Sequence, residues 1–433
     1  MSGTSPTRRG FLGSLMTAAV GLPVAARFAE AAELFAERTS GLRLATSDEA
    51  AVRALRARYL LDPELLYLNH ASIGTVPAAV HEAHVAYAAL CEENPWLYMW
   101  GGAWEEAREE ARAAVGRLMG SPPDRVALTH NTTEGFNLLA SGLPLGGGDE
   151  VLFSSLNHDG ASVCWEHQAA ARGYRVRRFD FPAERASELT PDEVIDLYVR
   201  EITDDTRVLV FPHVDNSVGV RHPLSGLVAR AKARGVRWVA VDGAQTVGMI
   251  PLDLPASGVD AYAGSPHKWV QSPKGLGVLY LAPELHSELR PMWVTWGQSR
   301  WAGTVRAFED YGTRNLPELL ALTDAVRFQE EIGQDEKLAR YRAMWSRIRE
   351  RVRSTDGLSW RSPESFEGGA SLVAVEVTGR NAGEVGGELL ASHRLIARAF
   401  GGARLNHIRL SPNVATLDDE IDAVIDLLEA AAR

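Results

Sequence analysis

The stretch VAVDGAQTVGMIPLDLPASGVDAYAGSPHKWVQSPKGLGVLYL, Val239 to Leu281, decides the fold. It opens as a short apolar run that stops at Asp242 and passes through a helix-like segment and a second apolar turn. It then delivers Lys268 between His267 and Trp269, ahead of a further apolar run from Val278 to Leu281. Short apolar runs bounded by turn signals read as buried strands. Open α/β sheets bind ligands beyond the carboxyl ends of their strands, so Asp242 and Lys268 are expected at the ends of neighbouring strands, facing one crevice.

Lysine is scarce here, with only Lys232, Lys268, Lys274 and Lys337 in 433 residues. Lys232 in RAKARG and Lys337 in GQDEKLAR sit in polar helix contexts that predict solvated surface. Lys274 lies in the turn-like SPKG, whereas Lys268 is flanked by Trp269 and Val270. A lone lysine is by default a surface charge. Desolvation among apolar neighbours lowers an amine's pKa and favours a nucleophilic Schiff-base lysine, which singles out Lys268.

With these residues in place, the stretch resembles the class V, fold-type I pyridoxal phosphate enzymes, a group that includes cysteine desulfurases, isopenicillin N epimerase and related aminotransferases and lyases. The resemblance implies an α/β fold: a large domain with a mostly parallel seven-stranded sheet between helices, and a smaller C-terminal α/β domain. It implies pyridoxal 5'-phosphate as cofactor, with Asp242 under the pyridinium nitrogen and Gln245 near the phenolic oxygen. Ser265 and His267 would make phosphate contacts and Lys268 would bond the cofactor. A carboxylate at the ring nitrogen keeps it protonated and makes the ring an electron sink.

Other segments fit the same resemblance. In RVALTHNTTEGFNLLASGL, 125 to 143, a short strand ends in a polar turn from Thr129 to Thr133 before a helix whose free amides suit an anion. Thr132 and Thr133 resemble the phosphate-binding turn, although an N-cap alone also explains threonine and asparagine there. A strand at Glu150 to Ser154 leads to His158, which by resemblance stacks on the cofactor ring and can exchange protons near the reacting carbon. RVLVFPHVDNSVGVRHPL, 207 to 224, reads as another buried strand followed by His213 and Asn216. Asn216 would join Gln245 at the phenolic oxygen. Asp215 stands where the family's pattern has serine, with two readings left open: an influence on the cofactor's protonation, or a solvent-facing carboxylate.

Phe308, Glu309, Gly312, Thr313 and Asn315 resemble the signature F-E-x-G-T-x-N, with one residue more than that spacing. The resemblance implies that Gly312 and Thr313 reach the phosphate of a partner subunit, hence a homodimer with shared sites. HIRLSPNVATLDDEID, 407 to 422, resembles the family's terminal pattern and makes Arg409 the grip on a substrate carboxylate, for which a guanidinium fork is suited. YLNHASIGTVPAAV, 67 to 80, corresponds to a segment lining the substrate side, making Asn69 and His70 further candidates.

Around this centre, residues 1–31 carry Arg8 and Arg9, an apolar run from Leu12 to Ala26 and an Ala-Glu-Ala, the order of a twin-arginine export signal. That predicts a translocase partner and a periplasmic or secreted enzyme. Residues 32–64 read as a helical segment packing with the small domain, 65–315 as the large domain and 316–433 as the small one. Trp96, Trp100 and Trp104 recur at helical spacing and predict core or subunit interface; Trp293, Trp296 and Trp301 read as core packing. Glu105 to Arg117 reads as a solvated helix face. The net charge of -11 and the absence of a basic run outside the leader argue against nucleic acid. No apolar stretch reaches the roughly 20 residues of a membrane span, and Cys91 and Cys164 lack metal-ligand spacing while leaving a disulfide open.

A cysteine desulfurase needs a persulfide-forming cysteine in the small domain, and no cysteine follows Cys164. That activity is therefore not expected. The remaining chemistries begin with loss of the substrate's α-proton, for which Lys268 is the natural base. The resemblance is nearest to the isopenicillin N epimerase-like branch and implies a small amino-acid substrate or amino-acid-derived metabolite, handled by epimerisation or aminotransfer. A carbon-sulfur lyase, or a cofactor-retaining binding protein without turnover, are the alternatives.

Overall fold

The computed structural model describes residues 48–100 and 105–433. Its main sheet has seven strands: β1 (Val126–Thr129), β2 (Glu150–Ser154), β3 (Arg175–Phe179), β4 (Thr206–Pro212), β5 (Trp238–Asp242), β6 (Ala261–Gly264) and β7 (Gly277–Leu281). Their spatial order is β1-β7-β6-β5-β4-β2-β3. Every pairing is parallel except those of β7, which runs antiparallel to both β1 and β6.

Alternation along these strands feeds two cores. Val208, Val210, Ala240 and Ala263 face a core with Phe136 and Trp165, whereas Leu209, Phe211, Val239, Val241 and Tyr262 face the other. Burial on both faces explains why the strands read as continuous apolar runs rather than alternating ones.

Register then positions the site. Pro212 lies opposite Asp242, Asp242 opposite Ala263, Gly264 opposite Val278 and Thr129 opposite Gly277. The carboxyl ends of β1, β6, β5 and β4 therefore reach one edge of the sheet, and the segments that follow them are neighbours there.

Helices α1 (Glu49–Arg56), α2 (Ala78–Glu93), α3 (Glu105–Leu118), α4 (Thr132–Gly142) and α5 (Asp159–Arg172) precede or interleave the first strands. The C-terminal part begins with α6 (Leu316–Ile332) and α7 (Gln334–Arg353) and closes with α8 (Asp418–Ala432). It contains a four-stranded antiparallel sheet in the order β10-β11-β9-β8, built from β8 (Leu358–Trp360), β9 (Val373–Val377), β10 (Arg398–Gly401) and β11 (Asn406–Leu410). Helix α6, which a division at residue 316 assigns to the small domain, lies against α2 and α3. The segment before β1 is tied to the C-terminal part: Arg53 pairs with Asp419, Arg56 with Glu420, and Leu66–Tyr67 pairs in parallel with Leu395–Ile396.

Several surface and core expectations change. Lys337 is only 1% exposed, its Nζ donating to Gly248 O at 3.2 Å and Gln329 Oε1 at 3.3 Å, because α7 turns that face inward. Arg112, on the face expected to be solvated, is also buried, in a bidentate pair with Glu309. Trp96 is 76% exposed and Trp296 79%, with Trp293 also exposed, so these rings are surface rather than core in the single chain. Trp104 lies outside the described residues, as does the whole of the export-signal stretch. Cys91 and Cys164 are both buried and free, one on α2 and one on α5, and form no disulfide.

Candidate active site

At the shared sheet edge lies a cavity of about 370 Å³. Asp242, the last residue of β5, lines it and accepts a hydrogen bond from Ala244 N at 2.9 Å. Lys268 enters four residues after β6, its neighbour Trp269 buried and donating to Gln245 Oε1 at 2.9 Å. Gln245 also donates to Ala71 O at 2.9 Å, which fixes the amide between the lysine segment and the 69–75 loop. That loop presses close. Gly74 N donates to His267 O at 3.0 Å, and a Cβ on Gly74 would sit 2.0 Å from Lys268 O. Only glycine fits there.

Burial pulls the Lys268 amine down to about 8; Asp242 opposes that shift and Arg409 adds to it. The neutral, reactive amine is thus available about two to three pH units earlier than in an exposed lysine.

From the other side, α4 begins at the cavity. Asn131 caps it by accepting from Glu134 N at 2.9 Å, while Thr132 N donates to Ser265 Oγ at 3.1 Å and the two hydroxyls lie 2.7 Å apart. The cap and the hydroxyl cluster coexist, so the two readings of this turn do not compete. His158 is exposed at the cavity and caps α5; its Nδ1 accepts from Gly160 N at 3.0 Å, which leaves a neutral ring's proton on Nε2. A Cβ at Gly160 would stand 2.5 Å from Thr133 Oγ1.

On the small-sheet side, Arg409 of β11 reaches the same cavity. Its guanidinium donates to Asn216 O at 2.7 Å, Asn69 Oδ1 at 2.8 Å and Ser72 Oγ at 2.7 Å, all neutral oxygens. Burial and the nearby Arg398 hold its pKa down near 10. Asn216, having given its carbonyl to Arg409, keeps its carboxamide beside the cavity.

The family described as aminotransferase class V matches residues 66–415. The chain belongs to the class V aminotransferase family. An isopenicillin N epimerase of Streptomyces clavuligerus is 32% identical over 394 residues, covering 87% of this chain and 97% of its own. A probable cysteine desulfurase of Mycobacterium leprae is 30% identical, covering 65% of this chain and 68% of its own. Among solved structures, the cysteine desulfurase CsdA of Escherichia coli superposes with a TM-score of 0.74 at 25% identity, covering 89% of this chain and 98% of its own. A C-DES variant with glycine covalently linked to its PLP cofactor gives a TM-score of 0.77 at 22% identity, a likeness of fold.

This class V family is pyridoxal phosphate-dependent, and the chain's cavity fits that cofactor. Hydroxyls of Thr132, Thr133 and Ser265 gather at a helix start, where amides and dipole favour a phosphate. Asp242 offers a carboxylate and Lys268 an amine to the same space, and His267 Nδ1 is buried without a hydrogen-bond partner among the described residues. The volume is within the usual range for small-molecule sites, roughly 300–1,000 Å³.

Thus Thr132, Thr133, His158, Asn216, Asp242, Gln245, Ser265, His267, Lys268 and Arg409 all line one cavity. The remaining candidates do not. Asn69 lies behind Arg409 and holds its Nη2, and Ser72 takes the place at the lining. His70 is buried beside Ser411, its Nδ1 3.1 Å from Ser411 O, and burial drives its pKa to about 3. It braces the loop and does not line the cavity. Gly312 and Thr313 are exposed and absent from the lining within their own chain. Asp215 neither faces solvent nor lines the cavity: it is buried and accepts from Ser217 N, Ser217 Oγ, Val218 N and Val220 N, tying up its own loop. Sequence reasoning passed over Asn131, Gly160 and Arg398, which also line the cavity. For Arg398 the available signal was an arginine inside the apolar run LIARAF, a strand on the same hairpin as Arg409.

Two expected outcomes follow from this geometry. Apoenzyme should capture added pyridoxal phosphate at Lys268 with a rate that rises through a midpoint near pH 8, not near the ordinary 10.5. Burial disfavours the charged amine, so the neutral form appears at lower pH; borohydride trapping and mass spectrometry across pH 6 to 11 would read it, and a midpoint above 10 would refute it. Gly74→Ala should keep the fold yet lower turnover on the order of 100-fold, because displacing the lysine loop by an ångström misplaces the reacting amine. Steady-state kinetics beside a circular dichroism spectrum would separate that from unfolding.

Proposed function

We propose that the protein is an enzyme that removes the α-proton of an amino acid, or of an amino-acid unit in a larger metabolite, as an epimerase or aminotransferase. The observation that carries this reading is one cavity holding both the Lys268 amine and a buried Arg409 that has only neutral oxygens as partners. A buried guanidinium with no carboxylate among its hydrogen-bond partners favours one from a ligand, and Arg matches a carboxylate with two parallel hydrogen bonds. Asn69, Ser72 and Asn216 hold that fork in place.

Bound pyridoxal phosphate supplies an electron sink for the electrons left when the α-proton departs. The chain's own groups do the rest. Arg409 fixes the carboxylate and thereby the orientation of the α-carbon, Lys268 takes the proton in its neutral form, and Asp242 keeps a positive charge favourable at the ring nitrogen. His158, with Nε2–H directed by the Gly160 contact on Nδ1, is the second proton-exchanging group. Likeness to an isopenicillin N epimerase over 97% of that protein favours the epimerase form.

Relatives named as cysteine desulfurases favour a second reading, carbon-sulfur bond cleavage. Against a persulfide mechanism stand the two cysteines of this chain, both buried and neither lining the cavity, with the Cys164 thiol pushed up to about 12 by burial. Exposed Gly312 and Thr313 support a homodimer in which each chain completes the other's phosphate site. The Arg8–Arg9 leader supports export through the twin-arginine translocase to the periplasm or beyond, with cofactor acquired before transport.

Single enantiomers of amino acids incubated with holoenzyme in D₂O give the test. Epimerisation predicts deuterium at Cα with loss of optical rotation; aminotransfer predicts a keto acid, and sulfide release from cysteine or cystine predicts the second reading. No exchange with any substrate class would sink the proposal.

A further inference from the structure

Arg409 is not alone at the cavity. Strand β10 pairs antiparallel with β11, and Arg398 sits directly opposite Arg409 in that register. Both side chains line the cavity. Directly opposed residues of an antiparallel pair have Cβ atoms about 4.5–5.5 Å apart, and like charges there repel. Such a pair is costly unless something between or beyond the two guanidinium groups is negative.

Among the described residues no carboxylate pairs with either guanidinium: buried Asp215 acts on Arg409 from a distance, but its oxygens are taken by its own loop and it does not line the cavity. Arg398 has no carboxylate partner, in a protein of net charge -11 where Arg347, Arg349 and Arg361 of the same C-terminal part each find one. Its guanidinium instead lies 5.6 Å from the ring of Phe400, which stacks near His407 at 5.0 Å. The ring contact steadies an exposed arginine without neutralising it. Asp242 is the only carboxylate lining the cavity, and it acts on Lys268. Lys268 aside, the cavity thus holds two arginines, Arg398 and Arg409, against the single carboxylate of Asp242. The phosphate belongs at the hydroxyl cluster of α4 on the large sheet, and an α-carboxylate belongs at Arg409. Arg398 is left over.

We propose that Arg398 is a subsite for a second carboxylate, so that the substrate is an amino acid bearing a distal carboxylate on its side chain. This rests on the reading of Arg409 as the α-carboxylate grip. The spacing of two arginines across one hairpin suits two carboxylates separated by a short carbon chain, and Arg398, which lines the cavity yet is exposed to solvent, leaves room for a side chain that extends outward.

The test is spectral titration of the holoenzyme with matched pairs, glutamate against glutamine and 2-aminoadipate against norleucine, in both enantiomers. Wild type should bind the dicarboxylate of each pair tighter by on the order of tenfold, since a charge-assisted pair contributes that much, and the preference should shrink as salt is raised. Arg398→Gln should erase the preference, and Arg398→Lys should retain part of it, with the cofactor's visible band intact in both. A wild type without preference, or an Arg398→Gln variant that keeps it, overturns the inference. Arg409→Gln separates the underlying reading: it should weaken both members of every pair. If it weakens neither, the α-carboxylate assignment falls and the second-carboxylate subsite falls with it; if it weakens both while wild type shows no preference, only the Arg398 inference fails.

Discussion

Lys268→Ala should lower turnover on any accepted amino acid by on the order of 100- to 10,000-fold at least, the range set by removal of a positioned general base. The loss is expected to be deep because no other amine can stand in. Lys337 is buried and committed to Gly248 O and Gln329, Lys232 pairs with Asp260, and Lys274 lines a different depression with Leu60 and His84. The variant should also fail to retain covalently held cofactor. Reduction of the wild type with borohydride should place the adduct on the peptide containing Lys268, and reduction of the variant should leave no adduct. Turnover within tenfold of wild type, or an adduct on another lysine, would remove Lys268 from the mechanism. Partial recovery with a small added amine would show that the missing group is the base itself rather than the loop around it.

Glu309→Ala should destabilise the fold by roughly 3–5 kcal/mol, the usual consequence of leaving one partner of a buried ion pair uncompensated. Glu309 accepts from Arg112 through both guanidinium nitrogens at 2.7 Å and from Leu128 N at 2.6 Å, while Arg112 also donates to Val126 O at 2.7 Å. Strand β1 is the edge of the main sheet, and this pair satisfies its outward Val126 O and Leu128 N in place of another strand, while Arg314 donates to Leu128 O. Removing the carboxylate therefore frees the edge strand that carries the start of α4, so cofactor retention should fall together with stability. Chemical denaturation of the apoenzyme reads the first and dialysis against buffer the second. Arg112→Met combined with Glu309→Leu should recover much of the lost stability, because the orphaned charge is then gone. Burial opposes ionisation of Glu309, but Arg112 wins and holds its pKa below the usual value. A depressed carboxylate contributes stability that is fully present above its unfolded pKa, about 4.3. That contribution is lost as pH falls through the lower folded value, so the wild-type advantage over Glu309→Ala should vanish in acid.

Much of the site was legible because its residues follow strands directly. Asp242 terminates an apolar run, Lys268 lies between apolar neighbours after the next one, and Thr132 and Thr133 open a capped helix. Local sequence carries that information, since strand ends and helix starts are set within a few residues. His70 was misplaced for the opposite reason: in a turn of small residues, neighbouring side chains point in unrelated directions, and Asn69 and Ser72 rather than His70 reach Arg409. Lys337 and Arg112 deceived similarly. Each lies on a polar-looking helix whose inward face includes a long side chain that reaches a hydrogen-bond partner on a distant segment, Gly248 for one and Glu309 for the other.

The sequence by itself determined the order of apolar runs and turns, hence the mostly parallel sheet, the family and the cofactor, and it carried Lys268 to the sheet edge. Only the tertiary structure decided which cations share the cavity. Arg398 and Arg409 are 11 residues apart and become opposite neighbours because β10 and β11 pair in one register. Whether a charge is neutralised depends on what other elements bring within a few ångströms, and no local pattern encodes that distance. The same holds for Asp215, whose carboxylate is consumed by amides of its own loop, and for the exposed Gly312 and Thr313. Chain-local physics fixes what each residue can do, and packing fixes what it has left to do it with.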